Sequence, residues 1–272
     1  MLQSREYMWD SLTPSLTMHL IKFLILLLFF SVPAALVQAA QLHAILVTDS
    51  VNEINFITQP DLQKWRKEAL LIAKYAKLEL KERVFTAHHF TKNQVSAHIK
   101  RQKINSDDAI IFYFSGHGYR TQEQASPLPH LVFSLDEEGL PLEWVVEQLK
   151  AKKPRFALIL ADCCNNYIEL GFSQPTKKIQ IRLHPLKPIN TSYEQLYGKA
   201  KGCIVIASCS PGAFSYGSSM GGLYTQCFFA SLNRELAQPK PNWRDLLRRA
   251  NGYISHIQQP VCRITPIQAS GL

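Results

Sequence analysis

The chain has 272 residues, 46% hydrophobic and 19% charged, with thinly spread Pro and Gly and no internal repeat, so disordered, coiled-coil, collagenous, solenoid and multispan membrane architectures are excluded. A formal net charge of +9 invites an acidic partner. The cations are scattered, however, as in Lys64, Arg66, Lys67, Lys74 and Lys77, without an aromatic-interleaved basic motif or zinc-finger spacing, so a solvated basic surface and no nucleic-acid partner are expected.

Residues 20–37 form an apolar run interrupted by Lys22 and Ser31, with Pro33 near its end and Val37-Gln38-Ala39 placed like a signal-peptidase site. Residues 1–39 are therefore expected to be a leader cleaved after Ala39, giving an exported, periplasmic or secreted, protein. An uncleaved membrane anchor is the alternative, and the N-terminal segment is then the sole membrane contact.

From there the pattern alternates. Residues 42–48 (LHAILVT) read as a buried strand ending at Asp49-Ser50. Leu62, Trp65, Ala69, Ile72, Ala73, Ala76 and Leu80 recur at helical spacing, with Asp61 as a favourable charge near the helix start. A strand over 83–87 and a helix over 93–103 follow. The turn cluster 105–108 leads into 109–114 (AIIFYF), too continuously apolar for anything but a central parallel strand. A helix over 142–152, stopped by Lys153-Pro154, precedes a second such strand, 156–161 (FALILA). The basic, Pro-containing stretch 172–201 reads as an exposed loop, and a strand over 203–207 and helices over 223–236 and 243–256 complete the domain. Strands alternating with helices imply βαβ crossovers and a mostly parallel sheet of about six strands covered on both faces.

In such sheets reactive groups collect at the carboxyl ends of the strands. Three ends stand out: Asp49, Ser115-Gly116-His117-Gly118 and Asp162-Cys163-Cys164. His117 lies between two glycines, so its imidazole is presented to a cleft, and a thiol at a neighbouring strand end needs such a base to raise its thiolate fraction. Because successive residues of a strand point to opposite sides, only one of Cys163 and Cys164 can face His117. Cys203, Cys209, Cys227 and Cys262 read as core thiols first, with a disulfide framework open to an exported protein.

These motifs resemble the clan of caspase-like cysteine peptidases, in particular metacaspases and their bacterial relatives. Ala207-Ser208, Pro211-Gly212, residues 221–225 and Gln258-Gln259-Pro260 are similar to that family's small-subunit region. The resemblance implies a caspase-like three-layer α/β sandwich over 40–272, divided into a large-subunit-like part (40–171), a linker (172–201) and a small-subunit-like part (202–272). It implies a cysteine endopeptidase acting on polypeptides, with His117 and Cys164 as catalytic dyad and the backbone N–H groups of Gly118 and Cys164 as oxyanion hole. Asp162 and Ser115, with Asp49 as a looser candidate, would bind substrate and select Arg or Lys at P1. A catalytically silent binding or regulatory module on the same fold is the alternative. Asn165-Asn166-Tyr167 stand where many metacaspases have His-Ser-Gly. The clustered aspartates that bind calcium in many metacaspases are not recognisable, and Asp136-Glu137-Glu138 reads as a solvated turn, so no metal or cofactor is expected and calcium dependence is unsupported.

Overall fold

The computed structural model describes residues 39–51, 53–134, 138–167 and 187–265; residues 1–38 of the expected leader, Asp136-Glu137 and the first half of the expected linker, 172–186, lie outside these residues. Six strands form one sheet in the order β11-β8-β7-β3-β1-β2. They are β1 (Gln41–Thr48), β2 (Glu79–Phe85), β3 (Ala109–Ser115), β7 (Phe156–Asp162), β8 (Gly202–Ala207) and β11 (Val261–Thr265), and only the β8 to β11 pairing is antiparallel. Short antiparallel pieces sit above the sheet: β4 (Gly118–Tyr119), β5 (His130–Leu131) and β6 (Leu140–Pro141) in one set, β9 (Gly217–Ser218) and β10 (Gly221–Gly222) in another.

The central strands are apolar throughout because both faces are covered. On one face Leu42, Ala44, Leu46, Ala109, Ile111, Tyr113, Leu158, Leu160, Ile204 and Ile206 pack against α1 (Asn55–Ala76), α5 (Leu223–Leu236) and α6 (Trp243–Ile254). On the other, the intervening residues of the same strands pack against α2 (Lys92–Arg101) and α3 (Leu142–Ala151). Trp65 fills the first layer, 5.1 Å from Tyr113 and 4.9 Å from Phe229 between ring centroids. The period of two along each strand thus builds two cores from one set of strands and makes this a three-layer α/β/α sandwich.

Several expectations shift in detail. The second strand lies at 79–85 rather than 83–87: as an edge strand it alternates in exposure, so its apolar residues form no run. The first helix begins at Asn55 and accommodates Pro60 within it, so Asp61 is not a solvated charge near its start but a buried residue. The described end of the expected loop 172–201 is helical, in α4 (Asn190–Tyr193) and a π-helical turn (Glu194–Gly198), and buries Tyr193, Leu196 and Tyr197 against α1. All six cysteines are free thiols.

Candidate active site

Ser115 of β3 pairs with Asp162 of β7 in the last register position of the two parallel strands, so His117 and Cys164 each lie two residues beyond the same rung. The strand period then sorts the side chains. Residues 158 and 160 of β7 and 111 and 113 of β3 face the α1 layer, and Ser115 and Asp162, the last residues of the two strands, meet Asp61 and Thr225 from the helices of that layer. Cys163 has the opposite phase and joins the core under α2 and α3. The loops after the two strands run side by side: Arg120 donates its N–H to the Asn166 carbonyl at 2.9 Å, and a β-carbon on Gly118 would stand 2.4 Å from the Cys164 carbonyl oxygen. The His117 carbonyl accepts from Val132 N–H at 3.1 Å.

His117 and Cys164 are almost wholly covered, at 5% and 4% exposure. The Cys164 Sγ receives the Ser215 N–H at 3.3 Å and lies 3.8 Å from the Ser215 carbonyl. Burial pushes the Cys164 thiol up to about 12, against the pull of the Ser215 N–H. Burial also lowers the His117 pKa, with the carboxylates of Asp49 and Glu53 pulling it back up. Both effects favour a neutral thiol beside a neutral imidazole rather than a resting ion pair.

Beside the dyad is an acidic cluster. Asp162 accepts from Thr225 N–H at 2.9 Å and Thr225 Oγ1–H at 2.7 Å, at the start of α5, and from Ser215 Oγ at 2.9 Å. Burial raises its pKa while these donors oppose the rise. Asp61, reaching in from α1, accepts from Ser115 Oγ at 3.2 Å and Gly222 N–H at 2.9 Å through Oδ2. Its Oδ1 is buried without a hydrogen-bond partner. Burial, reinforced by the Asp162 charge, lifts the Asp61 pKa to about 8. Gly221 and Gly222 let the backbone lie against both carboxyls: a β-carbon on Gly221 would stand 2.0 Å from Asp61 Oδ1, one on Gly222 2.2 Å from Asp162 Oδ2, and Gly221 has φ +108°.

Of the residues singled out in the sequence, Ser115 and Asp162 reach the acidic cluster and Cys164 joins it through Ser215, with Gly118 against the cysteine loop, while His117 lies within reach of the charges of Asp49 and Glu53. Asp49 does not join the carboxyl cluster. It follows β1 in the phase of the opposite face, its N–H bonds the Ser115 carbonyl at 2.9 Å, and its charge acts on His117. Asp61, Thr225 and Ser215 are the polar partners that strand-end reasoning missed. Gln258 is a fourth, clamping the covering segment through its Oε1, which accepts from Tyr216 N–H at 3.1 Å, and its Nε2, which donates to the Ser208 carbonyl and, at 3.3 Å, to Ser215 Oγ. Among the described residues no group of three or more His, Cys, Asp or Glu is arranged to hold a metal ion.

A parallel sheet with a glycine-flanked histidine and a cysteine at adjacent strand ends is the architecture of a caspase-type domain. The family model of the caspase domain, peptidase family C14, matches residues 51–269, and the chain belongs to that family. Among solved structures it is similar to protein GSU0716 from Geobacter sulfurreducens, with 13% identity over 83% of this chain and 93% of that one and a TM-score of 0.55, a likeness of fold alone. No curated protein matches.

Proposed function

We propose that this chain is a cysteine endopeptidase in which Cys164 is the nucleophile and His117 the general base, cleaving polypeptides after Arg or Lys. The observation that carries the reading is the register of β3 and β7, which pairs Ser115 with Asp162 and so sets His117 and Cys164 two residues beyond one rung. In the first step His117 takes the thiol proton as the Cys164 sulfur bonds to the scissile carbonyl carbon. The developing oxyanion is held by the backbone N–H groups of Gly118 and Cys164. The imidazolium then gives its proton to the departing amine, leaving a thioester that water, deprotonated by His117, hydrolyses. Because the resting thiol is neutral, proton transfer and attack are coupled, and the lowered His117 pKa sets the acid limb of kcat/KM below 6.5.

Substrate must displace the Ser215 main chain from Cys164 and reach the carboxyls beneath the Gly221-Gly222 segment. Asp162 and Asp61 lie together there, and an arriving guanidinium would favour loss of the Asp61 proton to solvent and pair with the two carboxyls through charge-assisted hydrogen bonds. P1 Asp would meet like charge. Peptides with Arg, Lys and Asp at P1 test the reading: turnover after Arg is expected, lost in Cys164→Ala and largely retained in Cys163→Ala, with both variants folded by circular dichroism. Asp162→Asn is expected to cost about 2 to 4 kcal/mol in kcat/KM for Arg peptides. Equal rates after Asp and Arg would sink the basic-P1 reading.

The covered, strongly raised Cys164 thiol favours a second reading, a silent caspase fold used for binding. A peptidyl fluoromethyl ketone decides between them, since covalent mass gain at Cys164 requires a competent nucleophile. We also propose export, with cleavage after Ala39. Its support is that the compact unit spans 39–272, so removing the leader takes no strand from the sheet. N-terminal sequencing of protein expressed from the full-length gene tests it.

A further inference from the structure

The acidic cluster already has a cation beside it. Lys64 follows Asp61 by three residues on α1, so the two side chains share a helix face. Its half-buried ammonium donates to the Met220 carbonyl, on the turn between β9 and β10 that covers the carboxyls. The point where Gly221 lacks a β-carbon is 2.0 Å from Asp61 Oδ1 and 3.2 Å from Lys64 Nζ, so acid and amine flank the same spot. The ammonium is anchored on a neutral carbonyl, and Asp61 Oδ1 makes no hydrogen bond. Lys64 lies beside the carboxyls without hydrogen-bonding the buried Asp61 Oδ1. Burial lowers the Lys64 pKa, while Asp61 first and Asp162 second pull it back up.

We propose that Lys64 is the resident counter-ion of the acidic slot, that an incoming P1 cation binds by taking over its electrostatic role, and that Lys64 therefore sets how strongly a charged P1 side chain is selected over a neutral one. The inference rests on the basic-P1 reading above. Two like charges at one carboxyl pair oppose each other, so the side chain must swing outward from Met220 or weaken the incoming cation. Its position at the protein surface lets it swing.

The test compares peptides ending in Arg with peptides ending in citrulline, which keeps the shape of arginine and drops the charge. Binding is measured calorimetrically to full-length mature protein carrying Cys164→Ala, so that no turnover is needed. In a Lys64→Met background the Arg peptide is expected to bind about tenfold tighter, the worth of removing one partly solvated like charge a few ångströms away, while citrulline binding stays the same. Lys64→Arg should restore the parent ratio. Equal tightening for both peptides would overturn the proposal, because it would make Lys64 only a latch on the covering turn; an unchanged ratio would overturn it too. If neither the parent nor Lys64→Met separates Arg from citrulline, the basic-P1 reading itself fails. Discrimination that exists in the parent and does not grow in Lys64→Met removes the Lys64 inference alone.

Discussion

Gly118 is where the histidine loop touches the cysteine loop, and adding one methyl group there should separate the two halves of the site. A β-carbon at this position would lie 2.4 Å from the Cys164 carbonyl oxygen, 2.6 Å from Cys163 Sγ and 3.0 Å from Cys163 Cβ. The nearest obstacle is backbone and the next is a core side chain, so no flexible tip can swing away. Ordinary contact requires the segments to part by about 1 Å, an overpacking that costs about 1 to 3 kcal/mol. For a domain of this size Gly118→Ala should lower Tm by roughly 3 to 10 °C. On the proposed mechanism the effect on turnover should be larger, about 100-fold in kcat/KM, because the displacement would fall on Cys164 relative to His117. Gly252→Ala is the internal control. It lies within α6 with nothing within 4 Å of its would-be β-carbon, and should stabilise by about 0.5 to 1 kcal/mol. Differential scanning calorimetry and peptide hydrolysis on the same preparations provide both readouts. A Gly118→Ala protein with unchanged Tm and kcat/KM would refute the claim that close approach at this glycine holds the dyad together.

Stability should fall as pH rises from 7 to 8.5, because Asp61 keeps its proton to about 8 in the folded protein and has lost it in the unfolded chain. For Asp61 alone the slope is about 1.4 kcal/mol per pH unit below 7 and fades as pH passes 8, with Glu68, raised to about 7, adding its own part near pH 7; urea titrations should show the fall reduced in Asp61→Asn. At the opposite end of the sheet, His43 donates from Nε2 to Asp108 Oδ2 at 3.0 Å, and Gln102 Nε2–H donates to its Nδ1 at 2.7 Å. His43→Ala should cost about 2 to 3 kcal/mol by denaturant unfolding, leaving a buried carboxyl short of one partner, with kcat/KM unchanged at a temperature where the variant stays folded. An enzyme with basic P1 preference should also cut itself between 172 and 201, where Lys177, Lys178, Arg182, Lys187, Lys199 and Lys201 are available. Intact mass should show fragments ending at one of these residues in active protein and none in Cys164→Ala.

The parts of the fold legible in the sequence are those buried on both sides. AIIFYF and FALILA admit one reading because a strand covered by helices on both faces has no polar alternation to confuse. At the sheet edges that signal disappears. Glu79–Phe85 alternates Lys and Glu with apolar residues, and Val261–Thr265 pairs along one side only, antiparallel to β8, so neither forms a sustained apolar run. Tyr193, Leu196 and Tyr197 do recur at helical spacing before β8, but the basic, Pro-containing stretch ahead of them dominates the reading of that region as loop.

The site divides in the same way. Its strand-borne members were legible because two unbroken apolar strands, β3 and β7, end in register at Ser115 and Asp162, with His117 and Cys164 two residues on and Cys163 left to the opposite core. Asp61 was not, because it comes from a helix and not from a strand end. Its signal was nevertheless present in the spacing. Asp61 stands four residues before Trp65, in phase with the apolar stripe that continues to Ala69 and Ile72, and a carboxylate in that phase is buried and in need of partners. Phase alone is insufficient, since Glu68 shares it and is also raised, to about 7, by burial beneath Tyr193. Position along the helix separates the two. A crossover helix between parallel strands starts over the carboxyl ends of the sheet and runs back towards the amino ends, so Asp61, near the start of α1, meets Ser115, while Glu68, two turns on, meets the helical turn before β8. A buried carboxylate in the first turns of a crossover helix is therefore the one to assign to the site.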